Sequence, residues 1–277
     1  MGTRSTVLGS LGMPAAQTLG GSRALRRLAR PILRGPQMNH LMRVAPVIAL
    51  VRECRGGELL DVGSGSVGIR PWIGSSWRVT TLDIDFADYG AATGPDARSE
   101  RAVVGDVRQL PFQDRTFDVV VAIDLLEHVA SEDRPRALEE MIRVTRRRLI
   151  VACPTGAAAL AVDERLAARL RFVPGWIQEH LEQGFPDANE VAAALEQHGR
   201  VALQRHEALA AHARIVRAEV NVVALVPLRA TAAAISVALR RGGRSADWAA
   251  RTLARLRGRD TPPTYRTIFT VDLGVRQ

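Results

Sequence analysis

Short apolar runs alternate along the chain with segments whose apolar residues recur at helical spacing. The runs are rich in Val, Ile and Leu with little polar interruption, which is typical of strands buried on both faces of a sheet. We predict strands over residues 59–62, 78–82, 102–104, 118–123, 149–153, 201–204 and 265–273. Because strand and helix signals alternate, the pattern predicts an α/β protein with a seven-stranded, mostly parallel sheet covered by helices on both faces.

Helical periodicity fills the segments between these runs. We predict helices over residues 37–54, 138–145, 158–170 and 187–198. Asp187 is placed to cap the last of them and Gly199 to close it. The stretch over about residues 207–263 is rich in Ala, Leu, Val and Arg, and it predicts two or three helices inserted before the final strand. We therefore divide the chain into a flexible basic segment over residues 1–36 and one domain over residues 37–277, with the insertion as a helical cap.

Two short basic helices with one apolar face are predicted, over residues 23–34 and 245–257. The simpler interpretation is that each packs on the domain and turns its Arg residues to solvent, and the alternative is contact with an anionic membrane surface. The apolar run over residues 220–239 approaches the length of a membrane span. Arg229 lies inside it, and a central Arg costs about 2.5–3.5 kcal/mol on insertion into a bilayer. We therefore interpret this run as part of the helical cap.

The charge of the chain is unevenly spread. Its 277 residues carry a formal net charge of +9, with nine Arg and one Glu in residues 1–57, and seven Arg and two Asp in residues 240–260. Such a balance suggests nucleic acid or an anionic membrane as a partner. Aromatic residues make up only 4% of the chain and no nucleic-acid-binding motif occurs, so nucleic acid is not expected.

The cysteines bear on the cellular compartment. Cys54 and Cys153 lie far apart without paired spacing, and we expect them to be ordinary thiols in a reducing environment. The N-terminus lacks the apolar stretch of a signal peptide. We therefore predict a cytoplasmic protein, with peripheral attachment to the inner face of the membrane as the alternative.

A glycine-rich turn follows the first strand, over residues 58–68. Gly63, Gly65 and Gly68 let a ligand approach the backbone where a Cβ would collide, and the N–H groups of the following helix would point at that ligand. About 20 residues on, Asp83 ends the second strand, where a carboxylate is placed to bind a ribose hydroxyl. These residues alone predict a nucleotide cofactor and leave a nicotinamide dehydrogenase open, because the glycine spacing also matches a dinucleotide site.

Two downstream motifs narrow the choice of cofactor. Residues 105–112 are Gly-Asp-Val-Arg-Gln-Leu-Pro-Phe, and residues 117–129 form an apolar strand that leads into Asp-Leu-Leu-Glu-His-Val. In this order the motifs resemble the class I S-adenosylmethionine-dependent methyltransferases, especially their bacterial small-molecule branch, over about residues 40–155 and more loosely over the last strand. The resemblance implies a Rossmann-like fold whose last strand is antiparallel, and S-adenosylmethionine as the cofactor.

The resemblance also implies which residues hold the methionine and ribose parts of the cofactor. Gly63, Ser64 and Gly65 would pass under the methionine part, and Asp61 would fix its amino group. Asp83 would accept hydrogen bonds from both ribose hydroxyls. A structural role for Asp61 is equally open, in which its carboxylate holds the glycine turn through backbone N–H groups.

The adenine end of the site follows from the same resemblance. Asp106 would accept from the adenine amino group, with the Val107 N–H on a ring nitrogen, and the chain around Asp124 would line the methionine end. One departure concerns the glycine turn. Many members of the family carry the third glycine where Val67 stands, and here Gly68 comes one place later, which changes the expected path of the loop.

The acceptor side offers two histidines. His180 stands where many related enzymes place a histidine beside the acceptor pocket, and His128 is the reserve candidate; either one could act as a general base. The alternative for both is a role in helix packing or at the surface. No cluster of His, Cys, Asp or Glu has the sequence spacing of metal ligands, so no metal is expected.

We therefore expect an S-adenosylmethionine-dependent methyltransferase that acts on a small-molecule or lipid- or glycan-linked acceptor, on oxygen rather than nitrogen or carbon. The basic helices suggest an anionic or membrane-associated acceptor. The alternatives are an NAD(P)-dependent oxidoreductase and a non-catalytic protein that keeps the cofactor fold as a scaffold. Asp83 and Asp106 argue against the scaffold, since a degenerate site has no need for both.

Overall fold

A seven-stranded sheet forms the centre of this computed structural model, which describes residues 36–65, 67–86, 101–171 and 173–273. Its strands are β1 (Gly57–Val62), β2 (Trp77–Asp83), β3 (Arg101–Val104), β4 (Phe117–Ile123), β5 (Thr145–Pro154), β6 (Arg200–Ala208) and β7 (Thr264–Asp272). They lie in the order β3-β2-β1-β4-β5-β7-β6. Strand β7 runs antiparallel to both of its neighbours, and the other neighbouring pairs are parallel. The predicted fold class, with its antiparallel last strand, is confirmed.

Helices cover both faces of this sheet. The described residues form α1 (Met38–Arg52), α2 (Arg134–Val144), α3 (Gly156–Arg169), α4 (Gly175–Gln183), α5 (Ala188–Glu196), α6 (Leu209–Glu219), α7 (Val222–Arg241) and α8 (Gly243–Arg257). The prediction for Asp187 is confirmed, because its Oδ1 accepts from the Asn189 N–H at 2.7 Å and the Glu190 N–H at 3.2 Å. Helix α4 was not predicted from the sequence pattern.

Successive residues of the central strands face opposite sides of the sheet, which produces two hydrophobic cores. On one face, Leu59 of β1 and Val119 of β4 pack with residues of α1, α7 and α8. On the other face, Leu60 and Val120 pack with residues of α2 and α5. All four side chains are fully buried. Burial on both faces explains why these strands are continuous apolar runs in the sequence.

Helices α6 to α8 lie between β6 and β7 in the chain. Over Val223–Arg241, α7 is apolar and long enough to cross a membrane, by length and composition only. It packs against α1, α6, α8 and the 3₁₀ turn Arg70–Trp72. Trp72 Nε1 donates a hydrogen bond to Ser236 Oγ at 3.0 Å, and both side chains are buried. This bond and the surrounding contacts attach α7 to the same core as the first strands.

One of the two predicted basic helices is described. Helix α8 buries Ala249 and Leu253 and exposes Arg251 and Arg255, as the sequence pattern indicated. The other, over residues 23–34, lies with the rest of the predicted N-terminal segment outside the described residues, apart from Pro36.

The sequence predicts only a short helix after the glycine turn, because Gly74-Ser75-Ser76 follows within ten residues of Gly65. In the structure it is the single 3₁₀ turn Arg70–Trp72. Strand β2 already begins at Trp77, so the chain has too few residues here for a regular helix. The expectation of a helix N-terminus that faces the ligand was therefore wrong. The glycine turn alone shapes this side of the cofactor site.

Candidate active site

The residues predicted to bind the cofactor converge at the carboxyl ends of β1, β2 and β4. The strand register places the turn over residues 63–65 between Asp83, which ends β2, and Asp124, which follows β4. The Gly63 N–H donates to the Leu82 carbonyl at 2.8 Å and closes the turn against β2. Open parallel sheets bind their ligands at this edge.

The backbone of the turn requires glycine at three positions. Gly63, Gly65 and Gly68 have φ angles of +68°, +57° and +54°, in the left-handed region. A Cβ on Gly68 would collide with the Asp61 carboxylate, and a Cβ on Gly63 would lie 2.8 Å from Leu125 Cδ1. Gly68, which departs from the family spacing, is therefore needed for the close approach of the loop to Asp61.

Asp61 is buried beneath this turn. Its Oδ2 accepts from the Ile69 N–H at 2.8 Å, so the structural role that the sequence left open is present. Burial raises the pKa of Asp61 to about 7, because the charged form loses its hydration. Asp61 also lines a narrow pocket with His40, Arg43 and Ser64. Its contact with the amino group of the cofactor stays a prediction.

Asp83 also accepts a hydrogen bond from the protein backbone. Its Oδ2 accepts from the Gly65 N–H at 2.8 Å, which attaches the glycine turn to the end of β2. A carboxylate offers about four lone-pair sites, so Asp83 keeps capacity for hydroxyl donors. Its binding to ribose stays a prediction, in which the hydroxyls share or replace the bond to Gly65.

Asp106 forms a local ion pair that the sequence analysis did not find. Arg108 donates from Nη2 to Asp106 Oδ2 at 2.6 Å and from its backbone N–H to Oδ1 at 2.8 Å. The hydrogen bonds from the Arg108 side chain hold the pKa of Asp106 below its usual range. An adenine amino group would compete with Arg108 for this carboxylate. The Val107 side chain is buried in the core, which leaves only its backbone for contact with a ligand.

The Asp124 side chain is bound by two arginines. Arg266 of β7 donates from Nε to Oδ1 at 2.7 Å and from Nη2 to Oδ2 at 2.6 Å, and Arg43 of α1 donates to Oδ2 at 3.2 Å. Burial by itself would raise the pKa of Asp124, but the two guanidinium groups outweigh it and hold the pKa below its usual range. The backbone at Asp124 can therefore line the site, while its carboxylate is bound by the two arginines.

A buried ionic network continues from Arg266. Its Nη1 donates to Glu207 Oε2 at 2.6 Å, and His212 Nδ1 lies 3.3 Å from Glu207 Oε1. The His212 ring stacks on Tyr265 with ring centroids 3.4 Å apart, and the Tyr265 hydroxyl donates to Asp163 Oδ2 at 2.9 Å. The sequence analysis named none of these five residues. A usable signal was Arg266 itself, which is the one basic residue in a strand that otherwise alternates threonine with apolar residues before Asp272.

Two histidines and a glutamate meet beside this network. His180 of α4 is buried, and its Nδ1 lies 2.7 Å from Asp163 Oδ2. The His128 side chain is 32% exposed, and its Nδ1 lies 2.7 Å from Glu179 Oε2. The centroids of the two imidazole rings are 5.2 Å apart. The role of His180 beside an acceptor stays a prediction. The structure brings His128, the second candidate for a general base, next to it.

Glu127 completes this group. It is fully buried, neither of its carboxylate oxygens has a hydrogen-bond partner among the described residues, and burial raises its pKa to about 8. One ligand-type atom from each of Glu127, His128 and His180 lies within 4.8 Å of the others. The expectation that no metal is bound stays a prediction, although the structure brings these three residues together. Ligand spacing in sequence cannot reveal a cluster whose members come from β4–α2 and from α4.

Comparison with known proteins assigns the family. Residues 60–153 match the family described as "Methyltransferase domain". This part of the chain therefore carries the methyltransferase domain that the resemblance predicted. This match bears out the predicted methyltransferase domain and its cofactor, and it favours them over the dehydrogenase alternative.

The curated relatives of this methyltransferase act on different acceptors by name. Phosphatidylethanolamine N-methyltransferase of Cereibacter sphaeroides is 33% identical over 133 residues, which cover 44% of this chain and 64% of the relative. Demethylmenaquinone methyltransferase of Roseiflexus sp. is 34% identical over 116 residues, which cover 39% of this chain and 47% of the relative. The matched part thus spans about half to two thirds of each relative.

Solved structures share the fold at low sequence identity. The plantazolicin methyltransferase BpumL in complex with SAH is 11% identical, with a TM-score of 0.52 and coverage of 94% of each chain. The complex of the Haloferax volcanii Trm112 methyltransferase activator with a putative methyltransferase matches with 16% identity, a TM-score of 0.51, and coverage of 86% of this chain and 91% of the matched chain. Both likenesses extend beyond the residues of the family match, into the late helices.

Removal of the central arginine is expected to destabilise the fold. Arg266→Met leaves Asp124 and Glu207 buried without their shared cation, which costs about 3–5 kcal/mol in the free energy of unfolding. Urea denaturation at neutral pH measures this loss. Arg200→Met, at an exposed position on β6, is the matched control and should change the stability by less than about 0.5 kcal/mol. Equal stability of the two variants would contradict the central role of Arg266.

Proposed function

We propose that this methyltransferase moves the methyl group of S-adenosylmethionine to an oxygen of a small-molecule or lipid- or glycan-linked acceptor. The observation that carries the proposal is the arrangement at one edge of the sheet. The glycine turn and Asp83 lie beside Asp124, and the group of Glu127, His128 and His180 follows directly. A donor site and a set of bases thus lie next to each other.

On the donor side we assign the predicted residues as follows. Gly63, Ser64 and Gly65 support the methionine part, and Asp61 binds its ammonium group. Asp83 accepts from the ribose hydroxyls. At the far end of the site, Asp106 and the Val107 N–H bind adenine, and the backbone at Asp124 lines the approach to the reacting methyl group.

On the acceptor side the chemistry is an in-line displacement at a sulfonium. Positioning of the two reactants and exclusion of water supply most of the rate. A hydroxyl acceptor must also lose its proton, which requires a base within hydrogen-bond reach. Glu127, His128 and His180 lie near Asp124, whose charge acts on all three. Candidate bases at this position support an acceptor that must lose a proton, such as a hydroxyl.

The surface between α7 and α8 supports a membrane-associated acceptor. Val237 is 46% and Trp248 is 45% exposed, and both line a shallow groove together with Arg241 and Arg244. Exposed apolar side chains next to arginines fit an anionic lipid surface. The name of the phosphatidylethanolamine methyltransferase relative agrees with a lipid acceptor. We propose that the protein is cytoplasmic and works at the inner face of the membrane.

Cofactor binding tests the donor assignment. Loss of a charged hydrogen-bond acceptor costs about 1.5–3 kcal/mol, so Asp83→Ala should weaken binding of S-adenosylhomocysteine by about 10-fold to 150-fold. Asp106→Ala should also weaken it. Isothermal titration calorimetry measures both, with Asp114→Ala, at an exposed position, as the control. Unchanged affinity in both site variants would refute the assignment, and binding without any methyl transfer to cell-extract acceptors would favour the scaffold alternative.

The affinity for S-adenosylhomocysteine should depend on pH through Asp61. Because burial places its pKa at about 7 in the free protein, Asp61 is protonated below that pH and must release its proton to pair with the ligand ammonium group. Affinity should therefore rise by up to about tenfold per pH unit below pH 7 and level off above it. Calorimetry between pH 5 and 8 measures the profile. Asp61→Asn should flatten it, and a flat profile in the unaltered protein would remove the proposed contact.

Vesicle flotation tests the membrane assignment. The full chain should float with vesicles of phosphatidylglycerol and stay behind with vesicles of phosphatidylcholine, and added salt should reduce the floating fraction. Arg241→Glu with Arg244→Glu, or Trp248→Ala, should lower flotation. Arg200→Glu makes the same type of charge change at an exposed site on β6 and serves as the control. Protein that stays soluble with the anionic vesicles would contradict the proposal.

A further inference from the structure

We propose that Glu127, His128 and His180 bind a divalent transition-metal ion on the acceptor side of the active site. Their ligand-type atoms lie within 4.8 Å of one another. A cation with bonds of about 2.0–2.2 Å holds its ligands about 3–4 Å apart. Small rotations of the three side chains are therefore enough to close the site around an ion. Two imidazoles and one carboxylate form a ligand set used by zinc and by non-haem iron.

Each histidine has one ring nitrogen held by a carboxylate. His128 Nδ1 lies 2.7 Å from Glu179 Oε2, and His180 Nδ1 lies 2.7 Å from Asp163 Oδ2. Each ring therefore keeps Nε2 free for a cation. Carboxylates that hold the second nitrogen of a histidine fix its tautomer and orientation and increase its basicity toward a metal. Asp163 is itself held by the Tyr265 hydroxyl at 2.9 Å.

Glu127 supplies the observation that points most directly to a ligand. Its carboxylate is fully buried, and neither oxygen has a hydrogen-bond partner among the described residues. A buried polar group without a partner is costly and calls for an explanation. A cation held by Glu127 and the two imidazoles would satisfy it.

The charges around the group also suit a cation. Glu127, Glu179 and Asp163 bring three carboxylates to two imidazoles. Arg266, the buried arginine of the adjoining network, is already shared by Asp124 and Glu207. The carboxylates of Glu179 and Asp163 each hold one of the two imidazoles. Imidazole ligands favour Zn²⁺, Fe²⁺ or Co²⁺ over Mg²⁺, which prefers oxygen ligands and water.

The role of this ion rests on the proposed function, whereas its binding does not. Three protein ligands leave at least one open position, and the partial exposure of His128 gives access to it. With the ion bound, the three side chains serve as its ligands instead of as bases. An acceptor hydroxyl bound to the ion would lose its proton to solvent more readily, because the cation stabilises the oxyanion. The oxygen lone pair then forms the bond to the methyl carbon. The sulfur–methyl bond breaks, and its electron pair stays on sulfur as the sulfonium becomes a neutral thioether.

Metal analysis of the full chain, prepared without a histidine tag and stripped with a chelator, tests the site. After equilibrium dialysis we expect about one Zn²⁺ or Co²⁺ per chain, visible absorption from the Co²⁺ form, and no retained Mg²⁺. His128→Ala and Glu127→Gln should abolish retention. Glu179→Gln, which only positions His128, should weaken Zn²⁺ affinity about 10-fold to 100-fold. His198→Ala, at an exposed histidine that follows the end of α5, is the matched control and should keep the ion.

The outcomes separate this proposal from the proposed function. Absence of retained Zn²⁺ and Co²⁺ in the unaltered protein would overturn the site, as would retention that survives His128→Ala. This variant decides the matter even where Glu127→Gln fails to fold, because His128 is partly exposed and lies outside the hydrophobic cores. Binding of S-adenosylhomocysteine is measured on the same samples. Metal retention without cofactor binding would support the metal site and contradict the methyltransferase function. Cofactor binding without metal retention would contradict the metal site and leave the methyltransferase function supported.

Discussion

The Arg266 guanidinium, shared between Asp124 and Glu207, is the interaction on which this active site depends. Its contacts of 2.6–2.7 Å join β7 to the end of β4 and the end of β6. Because β7 is antiparallel, its first residues lie at the carboxyl edge of the parallel strands, where Arg266 pairs with Pro154 of β5. A parallel last strand would carry the same arginine to the opposite edge, far from the cofactor turn. The two carboxylates offset the free-energy cost of burying this charge, because an unpaired buried cation would destabilise the fold far more.

The same strand also orients the acceptor side. Tyr265, next to Arg266, donates to Asp163, and Asp163 in turn holds His180. His128 lies against the His180 ring and is held from the other side by Glu179. Two histidines that belong to different parts of the chain are thus fixed by carboxylates with sub-3 Å contacts. Side chains held in this way lose little further freedom when a ligand binds, which favours a functional site over a packing arrangement.

The carboxylates on the two sides of the site differ in whether the protein itself supplies them with hydrogen-bond donors. On the donor side, Asp61, Asp83 and Asp106 already accept hydrogen bonds from the protein. Asp83 keeps lone-pair capacity beyond its bond to Gly65, so we expect cofactor hydroxyls to share or replace that bond. On the proposed acceptor side, Glu127 is buried, and its carboxylate has no hydrogen-bond partner in the described chain. The two proposed halves of the site therefore differ in how far the protein itself satisfies their carboxylates.

Sequence alone determined the strands, the glycine turn and the family, because these depend on residues close together in the chain. Gly63 and Asp83 could be placed from the spacing of two short strands, and the motifs after β3 and β4 then named the cofactor. Only the tertiary structure decided the position of Arg266 and the grouping of Glu127 with His180, since the partners of these residues lie far away in sequence. It also replaced the expected helix after the glycine turn by a single 3₁₀ turn. Local patterns specify backbone elements, whereas the pairing of buried charges is set by which elements the sheet order brings together.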